Sequence, residues 1–167
     1  MASLLEDLRG YDGKAITLLS EAAAKHGGTP AYLSELVALC SHDELPVSEG
    51  ATWLLKANLE NGVPLPPAQT ETLLASLGKI THWPAQLHLC QMLHALTVPE
   101  KHAAAMAGWL SGLLTHKRPF LRAWSMSALQ SLAAQHPAFE PEAKAALKAA
   151  KSDTAASVRA RARNLDK

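Results

Sequence analysis

Segments of similar pattern recur along this chain at an interval of 36 residues. KAITLLSEAAAKHG, ATWLLKANLENG, LHLCQMLHALTV and AWSMSALQSLAAQH begin at residues 14, 51, 87 and 123. Aligned on Ala15, Ala51, Leu87, Ala123 and Ala160, the repeats are offset by 36, 36, 36 and 37 residues. Between them lies a second series, PAYLSELVALC, TETLLASLGKI, MAGWLSGLLTH and EAKAALKAAK, in which Leu77, Leu113 and Ala150 recur at 36 and 37 residues. Two alternating series with one shared period describe stacked two-helix units. No such unit can bury its apolar face alone, so each must use its neighbours. The expected fold is all-α: an α-solenoid (α-α superhelix) of about five helical hairpins, with residues 1–167 as a single domain.

Composition decides that the repeating element is a helix and not a strand. Alanine occurs 31 times and leucine 28 times, against seven valines and isoleucines together. Ala and Leu are strong helix formers, whereas strands favour β-branched and aromatic residues. The punctuation agrees. Thr29-Pro30 reads as an N-cap followed by Pro at the first helical position, and Pro66 and Pro67 precede another helix. Thr97 and Glu100 have the spacing of a capping box. Gly27-Gly28 and Asn61-Gly62 follow the first two registered helices, where left-handed C-terminal caps are expected. A short first helix is expected over roughly residues 3–9.

Helical geometry then sorts the faces. At about 100° per residue from each anchor, positions +2, +3, +6 and +9 share one side. In the third and fourth repeats these are Leu89, Cys90, Leu93 and Leu96, then Ser125, Met126, Leu129 and Leu132. That side is expected to be core. Trp53 and Trp109 follow apolar stripes and are assigned to it, while Trp83, beside Pro84, is expected to pack at a turn. The opposite side, positions +1, +4, +5 and +8, is expected to be exposed. Position +1 reads Thr52, His88, Trp124, Arg161; position +4 reads Leu55, Gln91, Ser127, Asn164; position +5 reads Lys56, Met92, Ala128, Leu165. Such rows line the binding surfaces of solenoids, and a large aromatic among small residues resembles a hot spot. The candidate partner-binding residues are therefore Thr52, Lys56, His88, Gln91, Trp124, Ser127 and Arg161. The alternative for Trp124 is packing beneath a neighbouring helix or loop.

In the later repeats the second helix carries a recognisable pattern. Leu121-Arg122 is followed by Ser125, Ala128 and Leu129, and Val158-Arg159 by Ala162 and Leu165, with Asp153 shortly upstream. On these residues the chain resembles the HEAT type of α-solenoid. Gly50 and Gln86 stand at the Arg position of earlier repeats, so the diagnostic residues cover only about residues 118–165. The resemblance implies a scaffold that binds a protein or peptide along its second helices, without catalysis. It also implies that Arg122 and Arg159 pair with acids or cap carbonyls of a neighbouring repeat. DNA alkylation-repair glycosylases use similar repeats, but they need a catalytic carboxylate beside aromatic side chains. The exposed positions of the third and fourth registered helices hold no Asp or Glu, so that activity is not expected.

The net charge of +1 conceals an asymmetry. Residues 1–100 hold five Lys/Arg and 11 Asp/Glu, whereas residues 101–167 hold 11 and four. The basic half sets the alternative reading, nucleic-acid binding with Arg118, Arg122, Arg159, Arg161 and Arg163 on phosphates. Motifs for chemistry are absent: there is no G-x-S-x-G elbow, no phosphate-cradling glycine loop and no H-E-x-x-H. Cys90 and His94 lie four apart, half of a zinc site, yet their register partners are Leu54 and Met126, then Asn58 and Gln130. A core Cys beside a polar ridge explains them. His42, His82 and His116 fall in the turns within successive hairpins. No catalytic residue, metal ligand or cofactor is expected. Cys40 and Cys90 read as small buried hydrophobes in a reducing compartment. No apolar run approaches the length of about 18 residues that spans a bilayer. Nor does the N-terminus have the basic flank and apolar stretch of a secretory signal. A cytoplasmic protein with no membrane association is expected, as a monomer or a weak dimer joined through an end hairpin.

Overall fold

A computed structural model describes all 167 residues and contains ten α-helices and no strand. The helices are α1 (Leu4–Arg9), α2 (Ile16–His26), α3 (Tyr32–Cys40), α4 (Leu45–Glu60), α5 (Pro67–Ala75), α6 (Trp83–Met92), α7 (Glu100–Leu113), α8 (Pro119–Gln135), α9 (Glu140–Ala150) and α10 (Ala156–Leu165). Single 3-10 turns occupy Leu77–Lys79, Leu93–Ala95 and Pro137–Phe139. The all-α expectation holds, and the five anchors of the repeat fall on the even-numbered helices. Ala15 is the N-cap of α2, and the other four anchors lie inside α4, α6, α8 and α10. Helix α1 packs on α2, α3 on α4, α7 on α8 and α9 on α10.

Helix ends follow local chemistry, and three caps differ from expectation. Ser3 and Glu6 close a capping box on α1, each side chain engaging the other's backbone N–H. Pro66 caps α5 and Pro67 begins it. At α7, however, Pro99 is the residue before the helix and Glu100 is the first helical position, so Thr97 and Glu100 form no box. Proline's fixed φ pre-sets the helix entry at Pro99, which moves Glu100 two positions too early. Likewise α3 starts at Tyr32, and the Thr29 hydroxyl donates back to the carbonyl of His26 instead of capping forward. Gly62 adopts φ +82° after Asn61 as expected, while Gly27 stays right-handed at φ −63° with its N–H on the carbonyl of Ala23.

The chain divides into two compact units, Met1–His88 and Leu89–Lys167. The first holds five Lys/Arg against ten Asp/Glu, and the second 11 against five, so their net charges are −5 and +6. In the first unit, α4 packs against α1, α2 and α3, and α3 packs against α5. Leu8, Leu19, Leu36, Val47, Leu54 and Leu55 are buried there. A Cβ on Gly50 would lie 3.0 Å from Leu8 Cδ2 and 3.1 Å from Leu19 Cδ2. Leu8 and Leu19 thus pack closely on Gly50, at the register position that Arg122 occupies in a later repeat. In the second unit α8 is central, with α7, α9 and α10 packed on it and Leu110, Leu121, Met126, Leu129, Leu132 and Val158 buried. The end of α8 is tied to the segment after the 3-10 turn at Leu93–Ala95. Gln135 donates to the Leu96 carbonyl at 2.9 Å and accepts the Val98 N–H at 2.8 Å, while His136 Nε2 donates to the Val98 carbonyl at 2.7 Å. No helix is long and apolar enough to cross a membrane.

Candidate partner-binding surface

Within each unit, two residues of the +1 row meet across one repeat. In the first unit these are Thr52 and His88. The Thr52 hydroxyl lies 2.8 Å from His88 Nδ1, and also 2.9 Å from the Ser48 carbonyl and 3.0 Å from that of Glu49. A threonine hydroxyl has one proton, and here it serves the helix carbonyls. His88 is therefore assigned the tautomer with Nδ1–H, donating to Thr52. Burial disfavours its charged form, nearby Lys56 adds to this and Glu60 opposes it, and its pKa falls to about 4. The imidazole is neutral at physiological pH. Lys56 itself pairs with Glu60 one turn on, at 3.0 Å.

In the second unit the corresponding pair is Trp124 on α8 and Arg161 on α10. The guanidinium carbon sits 4.2 Å from the centroid of the indole ring. Two of its nitrogens, Nε and Nη2, donate to the Ser127 hydroxyl at 3.2 and 2.9 Å. Trp124 and Arg161 are each half-buried, and Ser127 is buried. Trp124 thus combines both sequence-level alternatives: it stays on the partly solvated side of α8, and it packs beneath a neighbouring helix through Arg161.

The expected exposure of the whole ridge is corrected. Thr52, Leu55, Met92, Ser127 and Ala128 are buried, and Lys56, Gln91 and Arg161 are half-buried. The reason is that α4 and α8 are each flanked by three other helices, so their buried arc is wider than one stripe of four positions. Small or hydroxylated side chains let neighbours approach where a helical wheel alone suggests solvent. Conversely, Trp53 and Trp109 are half-buried, not fully inside, and Trp83 is 38% exposed at the first position of α6. Sequence reasoning treated Trp83 alone and did not see the group to which it belongs. Ile16, Leu45 and Trp83 in the first unit and Phe120 in the second are exposed, and each occupies the first turn of an even-numbered helix. Leu45, Trp83 and Phe120 precede their repeat anchors and Ile16 directly follows Ala15, so the shared place at a helix start was the available signal.

The arginines of the nucleic-acid alternative fall into three groups. Arg122 makes a two-pronged pair with Asp153, Nε to Oδ2 at 3.0 Å and Nη2 to Oδ1 at 2.9 Å, and its Nη1 donates to the His116 carbonyl at 2.9 Å. Arg159 donates to the Asp153 carbonyl at 2.6 Å. Arg161 is held on Trp124. Arg118 and Arg163 are exposed. The Arg122 guanidinium, helped by the Ala155 N–H, holds the Asp153 carboxyl below the usual carboxylate range.

Asp153 also belongs to a recurrent turn. Its Oδ1 accepts the N–H of Ala155, two residues on, at 2.8 Å. Asp12 accepts from Lys14 in the same way at 2.8 Å, and also from Ala15. His42 Nδ1 accepts from Glu44 at 3.1 Å and His116 Nδ1 from Arg118 at 3.0 Å. Histidine here does what aspartate does in the other turns. His82 instead meets the Asp43 carbonyl through Nε2 at 2.6 Å. These side chains shape turns, and no group of three or more His, Cys, Asp or Glu is placed to hold a metal ion. Cys40 and Cys90 are free and buried, and burial pushes the Cys40 thiol up to about 12 and the Cys90 thiol further still. Neither is poised as a nucleophile. No family model, no curated protein and no solved structure matches this chain.

Proposed function

We propose that this chain is a HEAT-type α-solenoid module of about five hairpins, a cytoplasmic scaffold that binds a protein or peptide partner and performs no catalysis. The observation that carries the reading is the meeting of residues one repeat apart at the same register position. Thr52 contacts His88, 36 residues on, and Trp124 contacts Arg161, 37 residues on. Stacked repeats require this of their second helices. The Arg122–Asp153 pair supports the same reading, since it joins a second-helix arginine to the turn acid of the next hairpin, as the HEAT pattern leads one to expect. Within the ridge, Trp124 and His88 are the side chains with aromatic area left for a partner.

Nucleic-acid binding has weaker support. Affinity for a phosphate backbone grows with the number of free cations that face it. Arg122 and Arg159 are bound to the Asp153 turn, and Arg161 is anchored on Trp124 and Ser127. The test is capture of partners on immobilised protein, wild type against the Trp124→Ala, His88→Ala double variant, with and without nuclease. Recovery of a protein that the double variant loses is the expected result. Unchanged recovery removes the ridge, and capture abolished by nuclease favours the nucleic-acid alternative.

A further inference from the structure

Arg161 is a half-buried cation without a counter-ion. No Asp or Glu of the chain pairs with it, although Arg122 pairs with Asp153 and Lys151 with Asp166. Its position is nevertheless fixed on two sides. The flat face rests on Trp124 at 4.2 Å, and Nε and Nη2 are tied to the hydroxyl of Ser127, which α8 holds in place. A guanidinium carries five N–H groups. With two donating to Ser127, three remain, and two of these belong to Nη1. A long flexible side chain normally loses entropy when it grips a ligand; here much of that ordering has already occurred.

We propose that Arg161, presented on Trp124 and Ser127, is a receptor for a carboxylate of an acidic partner segment. The two terminal nitrogens match the spacing of a carboxylate's oxygens, the geometry in which Arg–carboxylate pairs are strongest. The uncovered part of the indole supplies apolar area for a residue next to that acid. Residue Leu165, one helical turn beyond Arg161, is half-buried and extends the apolar area along α10. A peptide carboxylate suits this place better than a nucleic-acid backbone. One organised fork recognises one acid well, whereas backbone phosphates are held by many cations acting together. The net charge of +6 on Leu89–Lys167 also draws an acidic segment toward this unit.

This inference rests on the partner-binding reading above, and the experiment separates the two. A fluorescein-labelled peptide repeating Gly-Glu-Leu-Ser, its Glu→Gln counterpart and a single-stranded DNA of equal charge are titrated by anisotropy against the full chain. The wild type is expected to bind the Glu peptide in preference to the Gln peptide. Arg161→Gln is expected to weaken that binding at least about tenfold, a change of about 1.4 kcal/mol. Arg161→Lys, which keeps the charge and loses the fork, is expected to weaken it too. Circular dichroism verifies that the variants are folded. Equal binding by wild type and both variants overturns the Arg161 site while leaving a peptide-binding module. Failure of the wild type to bind the Glu peptide at about 1 mM, near the weak limit of specific recognition, overturns the site as well. DNA binding tighter than peptide binding, and falling steeply with salt, overturns both the site and the protein-partner reading.

Discussion

His88 shows how a single residue in this chain is set by its surroundings. Its folded-state pKa, about 4, lies below the ordinary value of 6.5. The unfolded chain takes up a proton as pH drops through 6.5, while the folded chain refuses it until about 4. The stability that depends on neutral His88 is therefore complete above pH 6.5. It is lost progressively as pH falls from 6.5 to 4, and amounts to about 3 kcal/mol. Urea denaturation at a series of pH values, wild type against His88→Gln, is expected to show a shallower acid slope in the variant. Arg122 makes a second residue-level prediction. Its side chain and that of Asp153 are each 17% exposed, and four hydrogen bonds depend on the guanidinium. Arg122→Ala is expected to cost about 2 kcal/mol by urea denaturation. The pairing of Arg122 was legible only through the resemblance, which implies that a second-helix arginine meets an acid or carbonyls of a neighbouring repeat; here Arg122 meets Asp153. The burial of Ser127 and Thr52 was not legible: a helical wheel ranks apolarity, whereas the Thr52 hydroxyl bonds to carbonyls of its own helix and that of Ser127 accepts from Arg161 on α10.

At the scale of the element, one turn contact recurs ahead of four of the five even-numbered helices, the exception being α6. Asp12, His42, His116 and Asp153 each accept the backbone N–H two residues on, immediately before or at the start of an even-numbered helix. None of those helices has a side-chain N-cap of the usual kind, so these acceptors take over part of that work. His116 can accept only while Nδ1 is unprotonated. Burial, then the charges of Lys117, Arg118 and Arg122, lower its pKa and keep it so. His116→Ala is expected to cost about 1 kcal/mol, the usual worth of a cap. His116→Asp, which restores an acceptor, is expected to stay within about 0.5 kcal/mol of wild type. Equal losses in both variants would contradict the turn role. The helices themselves were readable from Ala and Leu at helical spacing. Their boundaries were less so, as at Pro99, where one residue's fixed φ overrode a capping box that sequence spacing alone suggests. The turn positions of His42 and His116 were legible, but their role as acceptors was not, because Nδ1 is not among the side-chain atoms usually associated with caps.

For the molecule as a whole, the period of 36 residues is the organising fact. It places the anchors on every second helix, in both compact units. It also brings +1 residues together, with different chemistry in each unit: a neutral Thr52–His88 pair in one, and a cation on an indole in the other. The charge asymmetry visible in the sequence becomes a property of the two units, −5 and +6. What the period alone could not show is which +1 residue would keep surface for a partner, because that depends on side chains one repeat away. The central claim, that equivalent positions of successive second helices meet, is tested most directly by a double-mutant cycle on Trp124 and Arg161. Urea denaturation of the wild type, Trp124→Leu, Arg161→Gln and the double variant gives their coupling free energy. A favourable coupling of about 1 kcal/mol is expected for a guanidinium stacked on a half-buried indole. Strictly additive losses, with coupling within about 0.3 kcal/mol of zero, would contradict the register on which the account depends.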